Sequence, residues 1–239
     1  MFRTIGFYTF FFIRGFFSFI ARWKAKRVSL PTVDATDWER NQVPRSWAKG
    51  LLKIVGADIQ VHGDLQYQGP VLFVANHVGS FDIPVLISSL PKAFGFISKI
   101  EVLKIPIVGS WMKIMNCVFM DRKSRTDSTK AIEMGVKVLK EGHSLLIFPE
   151  GTRSKGGEMK AFKAGSFRLA LDAGVPIIPL GITGTADVME KNKGIMKPAK
   201  IHLTILPLQP YSSFKDMTSK DLAEHIHQMI HKSINSLEK

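Results

Sequence analysis

Short apolar runs, each cut off by polar, glycine-bearing sequence, recur along this chain, and longer amphipathic stretches lie between them. Asp58–His62, Phe94–Ser98, Cys117–Met120, Leu145–Phe148, Ile177–Ile182 and Ile201–Leu206 have the length and character of strands, as does the run that opens Val71–Asp82. Trp47–Val55, Val102–Met115, Thr126–Glu141 and Ser166–Ala173 carry apolar residues at helical spacing instead. In the last segment Leu222, Ile226, Met229, Ile230, Ile234 and Leu237 form a helical stripe, which leaves His227 and His231 to a solvated face. Strands and helices in alternation predict an α/β fold: one layered domain with a mixed, largely parallel sheet flanked by helices.

The N-terminus breaks this pattern. Met1–Ala21 is crowded with phenylalanine, and Arg22, Lys24, Lys26 and Arg27 follow it. No small-x-small cleavage site follows the apolar core, which argues against a signal peptide. Ile5–Ala21 is about the shortest length that crosses a bilayer, but Arg14 at its centre would cost about 2.5–3.5 kcal/mol. An aromatic helix lying in one leaflet, with Arg14 reaching the head groups, fits better. Either arrangement places the basic cluster on the cytoplasmic side of a membrane. Residues 1–28 therefore read as a membrane anchor, 29–45 as a polar, proline-bearing connector, and 46–239 as the catalytic domain.

Two stretches carry the chemistry. Val71–Asp82 (VLFVANHVGSFD) brings a histidine and an aspartate to the end of one strand, and Ser144–Ser154 (SLLIFPEGTRS) brings a glutamate and an arginine to the end of another. His77 and Asp82 would lie roughly 140° apart on a continuous helix, so they pair only if the chain bends between them. Gly79 and Ser80 supply that bend, and Pro84 is tolerated in the first turn of the helix that follows. An imidazole whose Nδ1–H is held by a carboxylate presents Nε2 as a base near neutral pH. Asp82 or Ser80 acting only as a helix cap is the plainer alternative. Arg153 offers the planar fork that suits a phosphate, and Lys155, Lys160, Lys163 and Arg168 follow it, as anion ligands or as a solvated face. Glu150 either holds the guanidinium or accepts from a substrate hydroxyl. Together these groups outline a site for acyl transfer to a phosphorylated alcohol.

Asn76–Asp82 and Phe148–Ser154 resemble the first and third blocks of the glycerolipid acyltransferases, most closely the 1-acyl-glycerol-3-phosphate acyltransferases. Val118–Arg122 resembles their second block and Val175–Pro179 their fourth, in order and at plausible spacing. One departure stands out: the family often carries serine two places after the histidine, where this chain has Gly79. The resemblance implies that His77 takes the proton from the free hydroxyl of a lysophosphatidic acid while Asp82 orients the imidazole, with no acyl-enzyme. It further implies that Lys99 stabilises the oxyanion, and that Arg122, Arg153 and Lys163, with the Glu150, Gly151 and Thr152 loop, hold the substrate. The acyl donor is an acyl-CoA or an acyl-carrier protein. Other lysolipids, a lyso-ornithine lipid or glycerol-3-phosphate are alternative acceptors, and a non-catalytic lipid-binding protein is the other class.

Composition agrees with a lipid substrate. Lys and Arg total 33 against 20 Asp and Glu, a formal net charge of +13, which draws the chain to polyanions. Zinc-finger and RNA-recognition signatures are missing, so the expected polyanion is a membrane surface and nucleic acid is not an expected partner. No metal or other cofactor is expected. Cys117 is the single cysteine and reads as a small core residue, and Gly181–Thr185 reads as a turn after a strand.

Overall fold

The computed structural model describes residues 1–105, 107–121 and 125–237. Seven strands form one sheet in the order β1-β7-β6-β2-β5-β3-β4. Their ranges are β1 Ala57–His62, β2 Leu72–Ala75, β3 Gly95–Lys99, β4 Val118–Met120, β5 Leu145–Ile147, β6 Ile177–Thr183 and β7 Ala199–Ile205. Only β6 and β7 pair antiparallel, so β1 and β7 run against the other five strands. The central strands β2 and β5 are buried along their whole length, as parallel strands covered on both faces are.

Helices α1 (Phe2–Phe17), α2 (Phe19–Arg27), α3 (Val33–Val55) and α4 (Asp82–Ser89) precede α5 (Val108–Ile114) and α6 (Arg125–Lys140). Helices α7 (Arg168–Ala173) and α8 (Ser219–Leu237) complete the set. One core packs Phe73, Val85, Leu86 and Leu146 on the α3–α4 side of the sheet, and a second packs Leu72, Leu145, Leu169 and Ile226 on the α6–α8 side. In α8, Leu222, Ile226 and Ile230 are buried as the stripe predicts. His227 is not on a fully solvated face: it is half-buried, its ring edge-on to Phe162 with centroids 4.9 Å apart.

Two expected elements differ. The connector over 29–45 is helical from Val33, because α3 runs without interruption through it and past Pro44. Thr32 caps that helix, its Oγ1 accepting from the Ala35 N–H at 3.1 Å. Its polar residues find tertiary partners: Arg45 donates to the carbonyls of Ile87, Ser88 and Leu90 at the end of α4, and Lys92 pairs with Asp34 at 2.5 Å. The helix expected over Val102–Met115 is broken, a short 3₁₀ turn over Ile100–Lys104 preceding α5. Pro106 falls between them, outside the described residues. Ile107 carries a φ of 73°, a strained value for a β-branched residue that marks the break.

The N-terminal helices lie against this domain. Phe7 packs on Phe81 and Phe11 on Trp47, while Phe10 fills the space over Gly50, where a Cβ would stand 2.3 Å from its ring. Arg14 donates to Ser46 Oγ at 3.2 Å, so its charged end turns to α3. The outer face leaves Phe2, Phe12, Phe16, Phe17 and Ile20 exposed. Among the described residues no single helix is long and apolar enough to cross a membrane.

Candidate active site

Because β2, β5 and β6 are parallel neighbours, the segments leaving their carboxyl ends meet at one edge of the sheet. His77 leaves β2, turns back through Gly79 and Ser80, and places Nδ1 2.7 Å from Asp82 Oδ2 at the start of α4. The same oxygen accepts the N–H groups of Val78 at 2.8 Å and Gly79 at 3.1 Å, and Oδ1 accepts the hydroxyl of Thr185 from the segment after β6. Asp82 is fully buried with both oxygens hydrogen-bonded, whereas the His77 side chain is 19 % exposed. With Nδ1–H donated to a carboxylate, Nε2 is left as the acceptor. The imidazole also lies flat on Phe148, ring centroids 4.0 Å apart.

Main-chain bonds tie the two loops together: Ser154 N–H donates to His77 C=O at 2.8 Å and Lys155 N–H to Val78 C=O at 2.9 Å. Asn76 makes a reciprocal pair with the Ile182 main chain at 2.8 and 2.9 Å, clamping β2 to β6. Glu150 does not hold the arginine. It is buried, accepting from His77 N–H at 2.6 Å and Lys160 N–H at 3.0 Å, so it anchors the base of the loop. Burial pushes its carboxyl above the usual range, and those two N–H bonds oppose the shift.

Arg153 instead pairs with Glu190, Nη1 to Oε1 at 2.9 Å, and also donates to Ser80 Oγ. Ser80 thus turns its hydroxyl to the guanidinium. Thr152 accepts from Lys160 Nζ at 2.8 Å. Gly151 has a φ of 73°, and a Cβ there would stand 2.6 Å from Lys163 Nζ, so the glycine admits both the turn and the lysine. A cavity of about 270 Å³ is lined by Phe148, Ile97, Ile132, Ile147, Lys163 and Arg168 among others. Lys99 ends β3 on the same sheet edge, exposed and separated from β2 by β5, and its side chain makes no hydrogen bond or ion pair among the described residues. Arg122 lies outside the described residues.

Two site residues were not legible in the sequence. Thr185 and Glu190 follow β6, and the turn after that strand carries no glycine motif to mark them. The signal available was position: β6 ends at the edge where β2 and β5 end, so the polar residues just beyond it belong to the same site.

A buried carboxylate behind a partly buried imidazole, on the carboxyl edge of an α/β sheet beside a basic loop, is the geometry that a general base next to an anion ligand requires. The Acyltransferase family profile matches residues 58–183, and the chain belongs to that family. It is 28 % identical over 195 residues, 81 % of this chain and 78 % of the other, to the 1-acyl-sn-glycerol-3-phosphate acyltransferase of Borreliella burgdorferi. To the probable 1-acyl-sn-glycerol-3-phosphate acyltransferase of Mycoplasma genitalium it is 35 % identical, over 67 % of this chain and 64 % of that one. The crystal structure of the 1-acyl-sn-glycerophosphate acyltransferase PlsC from Thermotoga maritima superposes with a TM-score of 0.85 at 25 % identity, covering 99 % of this chain and 95 % of that one.

Proposed function

We propose that this acyltransferase moves an acyl group from a thioester to the free sn-2 hydroxyl of a 1-acyl-glycerol-3-phosphate, giving phosphatidic acid. The observation that carries the reading is the shared edge: the His77–Asp82 pair and the Arg153 guanidinium are joined through the Ser80 loop, a base and an anion ligand side by side. His77 Nε2 takes the hydroxyl proton as that oxygen attacks the thioester carbonyl, and Asp82 stabilises the imidazolium. The carbon–sulfur bond then breaks, and the departing thiolate recovers the proton from His77. Arg153 binds the acceptor's phosphate. Lys163, which lines the cavity with Phe148, adds a second cation, and Lys99 supplies positive charge for the oxyanion from the same edge.

The exposed phenylalanine face of α1 and the basic end of α2 support seating on an anionic membrane, with the domain on the cytoplasmic face. Acyl transfer is to be measured in detergent with acyl-CoA and with acyl-carrier protein as donors. Wild type is expected to form phosphatidic acid. His77→Ala should lower turnover at least about a hundredfold, and Arg153→Ala should raise the acceptor KM. Wild type inactive on lysophosphatidic acid but active on another lysolipid would refute the acceptor assignment; inactivity on every lysolipid would refute the enzyme reading.

A further inference from the structure

Arg153 reaches the rim of the site with one edge of its guanidinium already engaged. Nη1 donates to Ser80 Oγ and to Glu190 Oε1, while Nε and Nη2 make no hydrogen bond among the described residues. That second edge is the one a phosphate can take in bidentate fashion. The Arg153 side chain is 38 % exposed and the Glu190 side chain 6 %, so the carboxylate lies behind the guanidinium and away from solvent.

Glu190 does more than pair with the arginine. Its Oε1 also accepts the Ser80 N–H at 2.7 Å, fixing the turn that follows His77. Its Oε2 is sealed from solvent and has no hydrogen-bond partner among the described residues, an uncommon arrangement for a buried carboxylate oxygen. A Cβ on Gly79 would stand 2.9 Å from Oε2 and 3.3 Å from the Ala186 nitrogen. A serine at this place would force the carboxylate to move. Gly79 is therefore the space that Glu190 occupies, which gives the one visible departure in the first block a physical reason.

We propose that Glu190 is a positioning residue for the acceptor's phosphate: it clamps Nη1 so that the Nε–Nη2 edge of Arg153 faces the substrate, with Gly79 as its steric partner. The inference rests on Arg153 as the phosphate ligand. The opposite arrangement, in which Glu190 is an internal anion that the phosphate must displace, predicts an effect of opposite sign. Burial of Glu190 behind the guanidinium favours the clamp.

The test titrates lysophosphatidic acid against the full-length chain in detergent, at saturating concentration of whichever thioester wild type uses. Glu190→Ala is expected to raise the acceptor KM about tenfold, the loss of one charged hydrogen bond, while kcat falls less than about threefold and the donor KM stays put. Glu190→Gln keeps an acceptor at Oε1 and should recover much of that affinity. Gly79→Ala should raise the acceptor KM in the wild-type background and add less in Glu190→Ala, where the nearer of its two close contacts is gone and only the Ala186 nitrogen at 3.3 Å remains. An acceptor KM that is unchanged or lowered in both Glu190 variants overturns the clamp, whether or not the melting temperature falls; if Glu190→Ala does not fold, Glu190→Gln and Gly79→Ala decide. Arg153→Ala is run in parallel. If it leaves the acceptor KM unchanged, the reading of Arg153 has failed, and this is separable from a result in which Arg153 matters and Glu190 does not.

Discussion

Asp82 shows how much one side chain can organise. It holds His77 Nδ1, two main-chain N–H groups and the Thr185 hydroxyl at once, so the bend after β2 and the orientation of the imidazole have a common cause. Asp82→Asn can keep the bonds at Oδ2 only by turning its NH2 to the Thr185 hydroxyl, which must then accept, and in either orientation it removes the negative charge behind the imidazole. Turnover should fall at least about a hundredfold, with far-ultraviolet circular dichroism unchanged, and the double variant with His77→Ala should be no slower than His77→Ala alone. The His77–Asp82 contact was legible because five intervening peptide units and a glycine constrain it locally. Thr185 and Glu190 were not, since Thr185 lies 103 residues from Asp82 and Glu190 lies 110 from Ser80 and 37 from Arg153, and both arrive only because β6 pairs with β2. For Glu150 the sequence left Arg153 and a substrate hydroxyl both open as partners, and the fold gives its carboxylate the main-chain N–H groups of His77 and Lys160.

Among the elements, α3 departs furthest from the sequence pattern. Residues that look like a polar connector turn one face to the domain, and that face is satisfied by α4, by the loop before β4 and by the loop before β5. Asp37 on α3 binds His143 Nδ1 at 2.7 Å and Asn116 Nδ2 at 3.2 Å, a clip between the helix and both loops. The hydrogen bond to Asp37 raises the His143 pKa, partly countered by burial. A histidine whose folded pKa exceeds its unfolded value of about 6.5 stabilises the fold fully below that value, and the contribution is lost as pH rises through the folded pKa. The melting temperature of wild type should therefore exceed that of His143→Gln most at about pH 5.5, with the gap narrowing in more alkaline buffer. A gap that widens with pH would reverse the sign and remove the clip. Period and composition show only the second half of α3, Trp47–Val55, where the apolar stripe lies; the first half is held by polar partners that leave no such stripe.

For the molecule as a whole, the sequence conveyed the layered α/β architecture and the basic, aromatic N-terminus; the structure added how the latter folds back. Helices α1 and α2 meet at a 57° bend, and α1, at 16 residues and about 24 Å, falls short of a bilayer core. An outer face of phenylalanine beside lysine and arginine should hold the protein to anionic vesicles by two means. In flotation assays, binding should weaken as salt rises from about 0.1 to 0.5 M, and replacing Phe12, Phe16 and Phe17 with serine should remove what salt leaves. Absence of wild-type binding at low salt would refute this placement. The sheet also gives the molecule a front and a back. His77, Arg153 and Thr185 lie at the carboxyl ends of β2, β5 and β6, whereas Asn116 and His143 precede β4 and β5 at the opposite edge. Since β1 runs against β2, the segment joining them also turns at the back, with Tyr67 open to solvent. That turn is a natural place to attach a label or a tether: a support grafted there would sit at the opposite end of the strands from His77 and Arg153, leaving the front free to work.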